Sequence, residues 1–209
     1  MNEINSKIFL YLIIVLSAVV HEYSHGFVAN ELGDPTAKNS GRLTLNPLAH
    51  IDPIGTVLVP LFLLFTAGAF IGWAKPVPFN PWNIKDPKGE LKIALAGPVS
   101  NIVIAVIVSL VFLGARLIFP VVGGNSTLVP LVAQIIYVNI ILALFNMIPV
   151  PPLDGSKVIG HFLPAKAQGI IYSVGPFGIV IALFLAMMII PPIASLVFAL
   201  LTGFGFVFG

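Results

Sequence analysis

The sequence predicts an all-α polytopic membrane protein, organised as one domain over residues 1–209, and three observations predict it. First, 58% of the residues are hydrophobic and 9% are charged, where a soluble domain carries about a quarter charged residues. Second, six apolar segments, each long enough or nearly so to span a bilayer, follow one another: Ile8–Val28, Ile54–Gly72, Ile93–Phe119, Val129–Ile148, Ile170–Ile190 and Ile193–Phe208. Third, the lysines fall between these segments rather than within them. The net charge of +2 is small, and no basic run alternates with aromatics, so nucleic acid is not an expected partner; the lipid bilayer is. With no cysteines in the chain, disulfides, iron–sulfur clusters and cysteine–zinc sites are excluded, and any metal must be held by histidine and carboxylate.

Taken in order, the first segment is a membrane helix and not a removable signal, since it lacks a basic leading region and a small-residue cleavage pattern. The second, Ile54–Gly72, contains Pro60 and Gly68 and is read as re-entrant on the distribution of charge. If it dips in and returns, Lys38, Arg42, Lys75, Lys85, Lys88, Lys92, Lys157 and Lys166 share one side against Lys7 and Arg116. The positive-inside rule then puts the N-terminus outside. The alternative is an ordinary crossing, so the expected total is five to six spans, with short extended loops near the cytoplasmic face. The third segment starts at that face, the fourth returns to it, and Trp73 and Trp82 beside Lys75 and Lys85 read as interface anchors. The last two segments carry no Asp, Glu, Lys, Arg or His. Residues 170–209 are expected to serve as a wall or a gate, with Gly175-Pro176 and Pro191-Pro192 as hinges.

Inside the first segment stands His21-Glu22-Tyr23-Ser24-His25. Ionisable groups at bilayer depth are costly and mark functional sites. On a helix, positions i and i+4 share a face, so His21 and His25 can both present a nitrogen to one Zn²⁺. Glu22 then stands beside the open coordination position. The chemistry expected of this pattern is a metal-activated water attacking a peptide bond, with Glu22 as general base.

Catalytic zinc usually takes three protein ligands plus water. The extension HExxHxxGxxH fails, because Val28 and Glu31 occupy the positions of its Gly and last His. Asp34, His50, Asp52, Asp154 and His161 remain. Asp154 ranks first: it closes Asn146-Met-Ile-Pro-Val-Pro-Pro-Leu-Asp-Gly155, where prolines stop a regular helix and Gly155 permits a sharp turn. On spacing alone, Asp-Gly is equally a loop turn. Asp34-Pro35 reads as a turn after the first helix, His50 as a loop-organising residue, and His161 as interfacial.

These motifs together resemble the site-2 proteases, the intramembrane zinc metalloproteases of peptidase family M50. The resemblance rests on HEYSH in the first helix, Ala96-Gly97-Pro98-Val99-Ser100-Asn101 opening the third segment, and NMIPVPPLDG after the fourth. The linking stretches Gly41–Gly55 and Gly72–Pro81 look like the compact prokaryotic branch that lacks PDZ and CBS domains. The resemblance covers residues 8–160. It implies one Zn²⁺ per chain held by His21, His25 and Asp154, with Glu22 activating the water. It implies transmembrane protein substrates and a plasma-membrane location with the site toward the cytoplasm. It also gives Gly97 and Asn101 a role as a GxxxN motif and places Asn146 and Pro152 among the residues that bind substrate or shape the site. Read from residues alone, Asn101 either hydrogen-bonds another helix or holds substrate, and Asn146 either meets substrate, positions the water or ties helices. The Gly72–Pro81 stretch is either an edge for strand addition or a simple loop.

A rival class is a non-catalytic metal-binding membrane protein, capturing transmembrane segments or carrying zinc. A carrier would line a path across the bilayer with polar residues, whereas here the ionisable groups cluster at one expected depth. A capture module would not need Glu22.

Overall fold

A computed structural model describes residues 3–60, 62–63, 72, 74–125 and 127–203. Among them the regular structure is helical throughout, as the composition requires: in lipid, backbone groups must be satisfied within the segment. Among the described residues four helices are long and apolar enough to cross a membrane. These are α1 (Glu3–Glu31), α3 (Gly89–Ile118), α5 (Leu128–Asn146) and α8 (Gly178–Thr202). Between them lie the short helices α2 (Thr36–Asn39), α4 (Pro120–Gly123), α6 (Asp154–Phe162) and α7 (Ala165–Ser173). The chain divides into two compact units, Asn2–Gly97 and Pro98–Gly209.

In the N-terminal unit, α1 has 29 residues, about 44 Å of helix at 1.5 Å per residue, against a hydrocarbon core of about 30 Å. It ends because Gly33 takes a positive φ of 101°. The Asp34 N–H reaches back to the Ala29 carbonyl and the Gly33 N–H to that of Asn30, which satisfies two of the free carbonyls at the helix end. Asp34 is fully buried. It accepts from the Thr36 hydroxyl and backbone N–H, from Asn80 N–H at 2.6 Å and from the Asn83 amide at 2.7 Å. What reads as a simple turn residue is thus a knot tying the end of α1 to residues 80–83. The stretch 74–80 is non-helical, and α3 starts after it, with Asp86 accepting from the Lys88 N–H and pairing with Lys92 at 2.6 Å.

About half of the predicted segment Ile54–Gly72, residues 61 and 64–71, lies outside the described residues. Its first part, Pro53–Leu58, is a π-helical turn capped by the Asp52 carboxylate, which accepts from Ile54 and Gly55 N–H.

In the C-terminal unit, α5 and α8 pack around Ile136, Tyr137, Ile140, Ala182, Ala194 and Phe198, with the Tyr137 and Phe198 rings 5.9 Å apart and edge-on. The Ser109 hydroxyl donates to the Leu201 carbonyl. Large apolar side chains such as Leu110 and Val111 on α3 and Met187 and Leu200 on α8 are exposed, a pattern that fits lipid as the solvent. The last two predicted segments, Ile170–Ile190 and Ile193–Phe208, are not separate spans. The chain breaks earlier, at Gly175 with φ 55°, after α7. It then runs as one helix, α8, through Pro191 and Pro192; the end of the second segment, 204–208, lies outside the described residues. Proline is tolerated within membrane helices where neighbouring groups make up for the lost bonds, whereas a left-handed residue cannot continue a helix. The described residues therefore hold four spans where five to six were expected.

Candidate metal centre

Within the N-terminal unit the HExxH sits on α1, and helical geometry brings its two imidazoles together. The Nε2 atoms of His21 and His25 are 3.0 Å apart, with the rings edge-on at 4.7 Å. The Nδ1 of His25 lies 2.6 Å from the Ile93 carbonyl oxygen. A carbonyl only accepts, so Nδ1 carries the proton and Nε2 keeps its lone pair, as a metal-ligating histidine needs. His21 is buried, and Glu22 and His25 are half-buried. The Glu22 Oε2 accepts the backbone N–H of Val77 at 2.7 Å.

Gly97 closes this corner. A Cβ there would fall on the Nε2 atoms of both His21 and His25, so the missing side chain keeps space open at these two nitrogens. Two imidazoles thus converge where the chain has kept a side chain out, an arrangement that suits a metal held by histidine nitrogens. Gly26 is similarly crowded, since a Cβ would come within 2.9 Å of Val77 Cγ1.

His50 is buried, with Nε2 donating to the Thr44 carbonyl at 2.8 Å and its own carbonyl accepting the Lys75 N–H. This is the loop-organising role its sequence context predicts.

In the C-terminal unit Asp154 is buried and stands in the first turn of α6, where a carboxylate is favoured by the helix dipole. It is thus a helix-start residue rather than a loop turn. Gly155 follows for a reason of space, not of turning. A Cβ on it would fall on the Met147 backbone and reach within 2.6 Å of the Ile148 oxygen. Lys157, one turn on, lies 3.9 Å from Asp154 Oδ1. Pro152 is exposed and joined to Pro151 by a cis peptide bond. Asn146 is half-buried and donates to the Leu142 carbonyl of its own helix. Asn101 is fully buried and donates from Nδ2 to the Oδ1 of Asn139 at 3.0 Å. Of its two readings the tie between helices α3 and α5 is the one seen here. Asn139, also fully buried, was missed in the sequence, where a lone Asn amid Val138 and Ile140 was the available signal. His161 is exposed, its ring against Phe162.

Comparison with known proteins agrees with these features. The model of peptidase family M50 matches residues 9–124. A Bacillus subtilis protein named, provisionally, as zinc metalloprotease YwhC is 36% identical over 180 residues, 85% of this chain and 79% of that one. The protein named in the same provisional way as zinc metalloprotease Rip2 of Mycobacterium tuberculosis is 27% identical over 174 residues, covering 82% of this chain and 64% of its own length. Zinc metalloprotease MJ0392 of Methanocaldococcus jannaschii is 24% identical over 169 residues, 79% of this chain and 38% of that one. The chain thus spans less than two thirds of the mycobacterial and archaeal relatives. No solved structure gives a significant match.

Proposed function

From the premise that this multi-pass membrane chain belongs to peptidase family M50, the site-2 proteases, and is a zinc metalloendopeptidase, we propose that it hydrolyses a peptide bond within transmembrane segments of other proteins. Residues 1–209 act as one protease domain. One zinc ion per chain is held by His21, His25 and Asp154, two imidazoles and a carboxylate, a donor set that suits a catalytic zinc with an open position. When bound, zinc supplies a water of lowered pKa and polarises the scissile carbonyl. Glu22 takes the proton from that water and returns it to the leaving amine. The His25 imidazole is held in its ligating tautomer by Ile93, and Gly97 leaves room for the metal and its water. Asn101, Asn146 and Pro152 shape the approach of the substrate. The observation that carries the reading is the pair of Nε2 atoms 3.0 Å apart facing a position without a side chain.

A helical substrate hides its carbonyls in i→i−4 bonds, so it must unwind before attack, and helix-weakening residues near the scissile bond favour cleavage. The site lies toward the cytoplasmic side of the plasma membrane, as the lysine distribution supports. Residues 170–209, which carry no Asp, Glu, Lys, Arg or His, form the wall or gate for lateral entry.

The test is Glu22→Gln, co-expressed with tagged single-span membrane proteins. It should retain about one zinc per chain while cleavage falls by about 10²–10⁴-fold. Undiminished cleavage by the variant would remove Glu22 from the mechanism.

A further inference from the structure

The segment from Ala74 to Asn80 reads Ala-Lys-Pro-Val-Pro-Phe-Asn, and its prolines have a specific effect. Proline has no N–H to donate, so Pro76 and Pro78 leave Val77 as a lone backbone donor between two non-donors. Residues preceding proline are also pushed toward extended conformations, which stiffens Lys75 and Val77. The Val77 N–H goes to the Oε2 of Glu22 at 2.7 Å.

Everything around this donor is fastened. The Arg42 guanidinium donates to the Lys75 carbonyl at 2.6 Å and to that of Pro76 at 3.4 Å. The Lys75 N–H donates to the His50 carbonyl at 2.9 Å, and the Asn80 N–H to buried Asp34 at 2.6 Å. The Val77 side chain is buried against the position of Gly26, one residue beyond the HExxH.

We infer that Val77 is a positioning residue for the hydrolysis: its backbone N–H, delivered by the Pro-Val-Pro strap and clamped by Arg42, holds one oxygen of Glu22 and so orients the carboxylate for its proton transfer. A carboxylate has two oxygens with several lone-pair directions. Fixing one oxygen with a charge-assisted bond removes the rotation that would otherwise scatter the other. Small misplacements of a catalytic group cost large factors in rate. This inference rests on Glu22 being the general base.

The experiment uses the full chain in detergent with zinc, and a purified single-span reporter peptide carrying Asn-Gly in its span. Val77→Pro removes the N–H. It should keep its zinc and lose about 10–100-fold in kcat, a fraction of what a general base supplies, with KM within about threefold of wild type. The conservative Val77→Ala, which keeps the N–H, should recover most of that loss. Arg42→Gln, which loosens the strap, should fall between them. In the substrate-free protein, Glu22→Ala should speed amide exchange at Val77 by about tenfold or more. Wild-type kcat in Val77→Pro, a change confined to KM, or unchanged kcat in Arg42→Gln should Val77→Pro lose its zinc or fold, would overturn the inference. If zinc-loaded wild type leaves the reporter uncut, or Glu22→Gln cuts it at the wild-type rate, the proposed function fails and takes this inference with it. If only Val77→Pro matches wild type, the inference fails alone.

Discussion

The Ile93 carbonyl accepts a hydrogen bond from His25 Nδ1 at 2.6 Å, linking the first full turn of α3 to the HExxH on α1. A single backbone oxygen thereby selects which nitrogen of His25 faces Gly97. In protein labelled with ¹⁵N at histidine and assigned by His25→Gln, the His25 signal should show a protonated Nδ1 and an unprotonated Nε2. On adding zinc to metal-free protein, Nε2 should shift and Nδ1 stay protonated. The opposite tautomer would remove this bond from the site.

Gly97 offers a second test, because a methyl group there would land on the Nε2 atoms of both His21 and His25, the nitrogens proposed to hold zinc. Gly97→Ala should weaken zinc binding by at least about tenfold, the scale on which changes around metal ligands act. The added methyl must also push both rings aside, which offsets the better helix propensity of alanine, so thermal stability without zinc should hold or fall. Chelator competition reads the first quantity and an unfolding curve the second. Undiminished zinc affinity would mean that the open corner is not where the metal sits.

The Asn101–Asn139 pair is the third. Both side chains are fully buried, and the Asn139 amide also donates to the Ile135 carbonyl. Hydrogen bonds between membrane helices couple by about 0.6 kcal/mol on average and about 1.7 at most. A double-mutant cycle with Asn101→Leu and Asn139→Leu, followed by unfolding in mixed micelles, should give a coupling in that range. Strict additivity would show that the pair contributes nothing as a pair.

Asp34 carries the fourth. Burial alone would raise its carboxyl, but hydrogen bonds from the Thr36 and Asn83 side chains and from the Asn80 and Thr36 backbone outweigh that and hold it below its ordinary value. A carboxylate lowered in the folded state adds stability that is fully present above its unfolded pKa, about 3.9. That stability is lost as pH falls through the folded value. Below about pH 4 wild type should therefore lose stability more steeply than Asp34→Asn, whose unfolding curve lacks this contribution. Parallel curves would exclude it.

What could be read beforehand follows the range of the interactions involved. The spans α1, α3 and α5 were legible because each is built on a long, mostly apolar run, and the imidazole pair was legible because i,i+4 spacing on a helix fixes it locally. The end of the chain was harder. Pro191-Pro192 is the stronger breaker on paper, yet Gly175, in a left-handed conformation, is where the helix stops. The partners of Asp34 and Glu22 lay hidden for another reason. Asn80 and Val77 are 46 and 55 residues away from them, and no periodicity links a carboxylate to a backbone N–H at that distance. Asn146 was visible as a polar residue in an apolar run, but its bond to Leu142 is local and invisible in composition.

The paired prolines of α8 also have a mechanical consequence. Neither Pro191 nor Pro192 can donate to the turn before it, so the helix has two successive gaps in its backbone ladder, while Ile190, Ala194 and Phe198 are buried on either side. The rod is anchored above and below a seam of low cohesion. Pulled from its C-terminus under force, it should yield in two steps: residues 193–202 peel away first and the load then stalls at Ile190, where an unbroken ladder resumes.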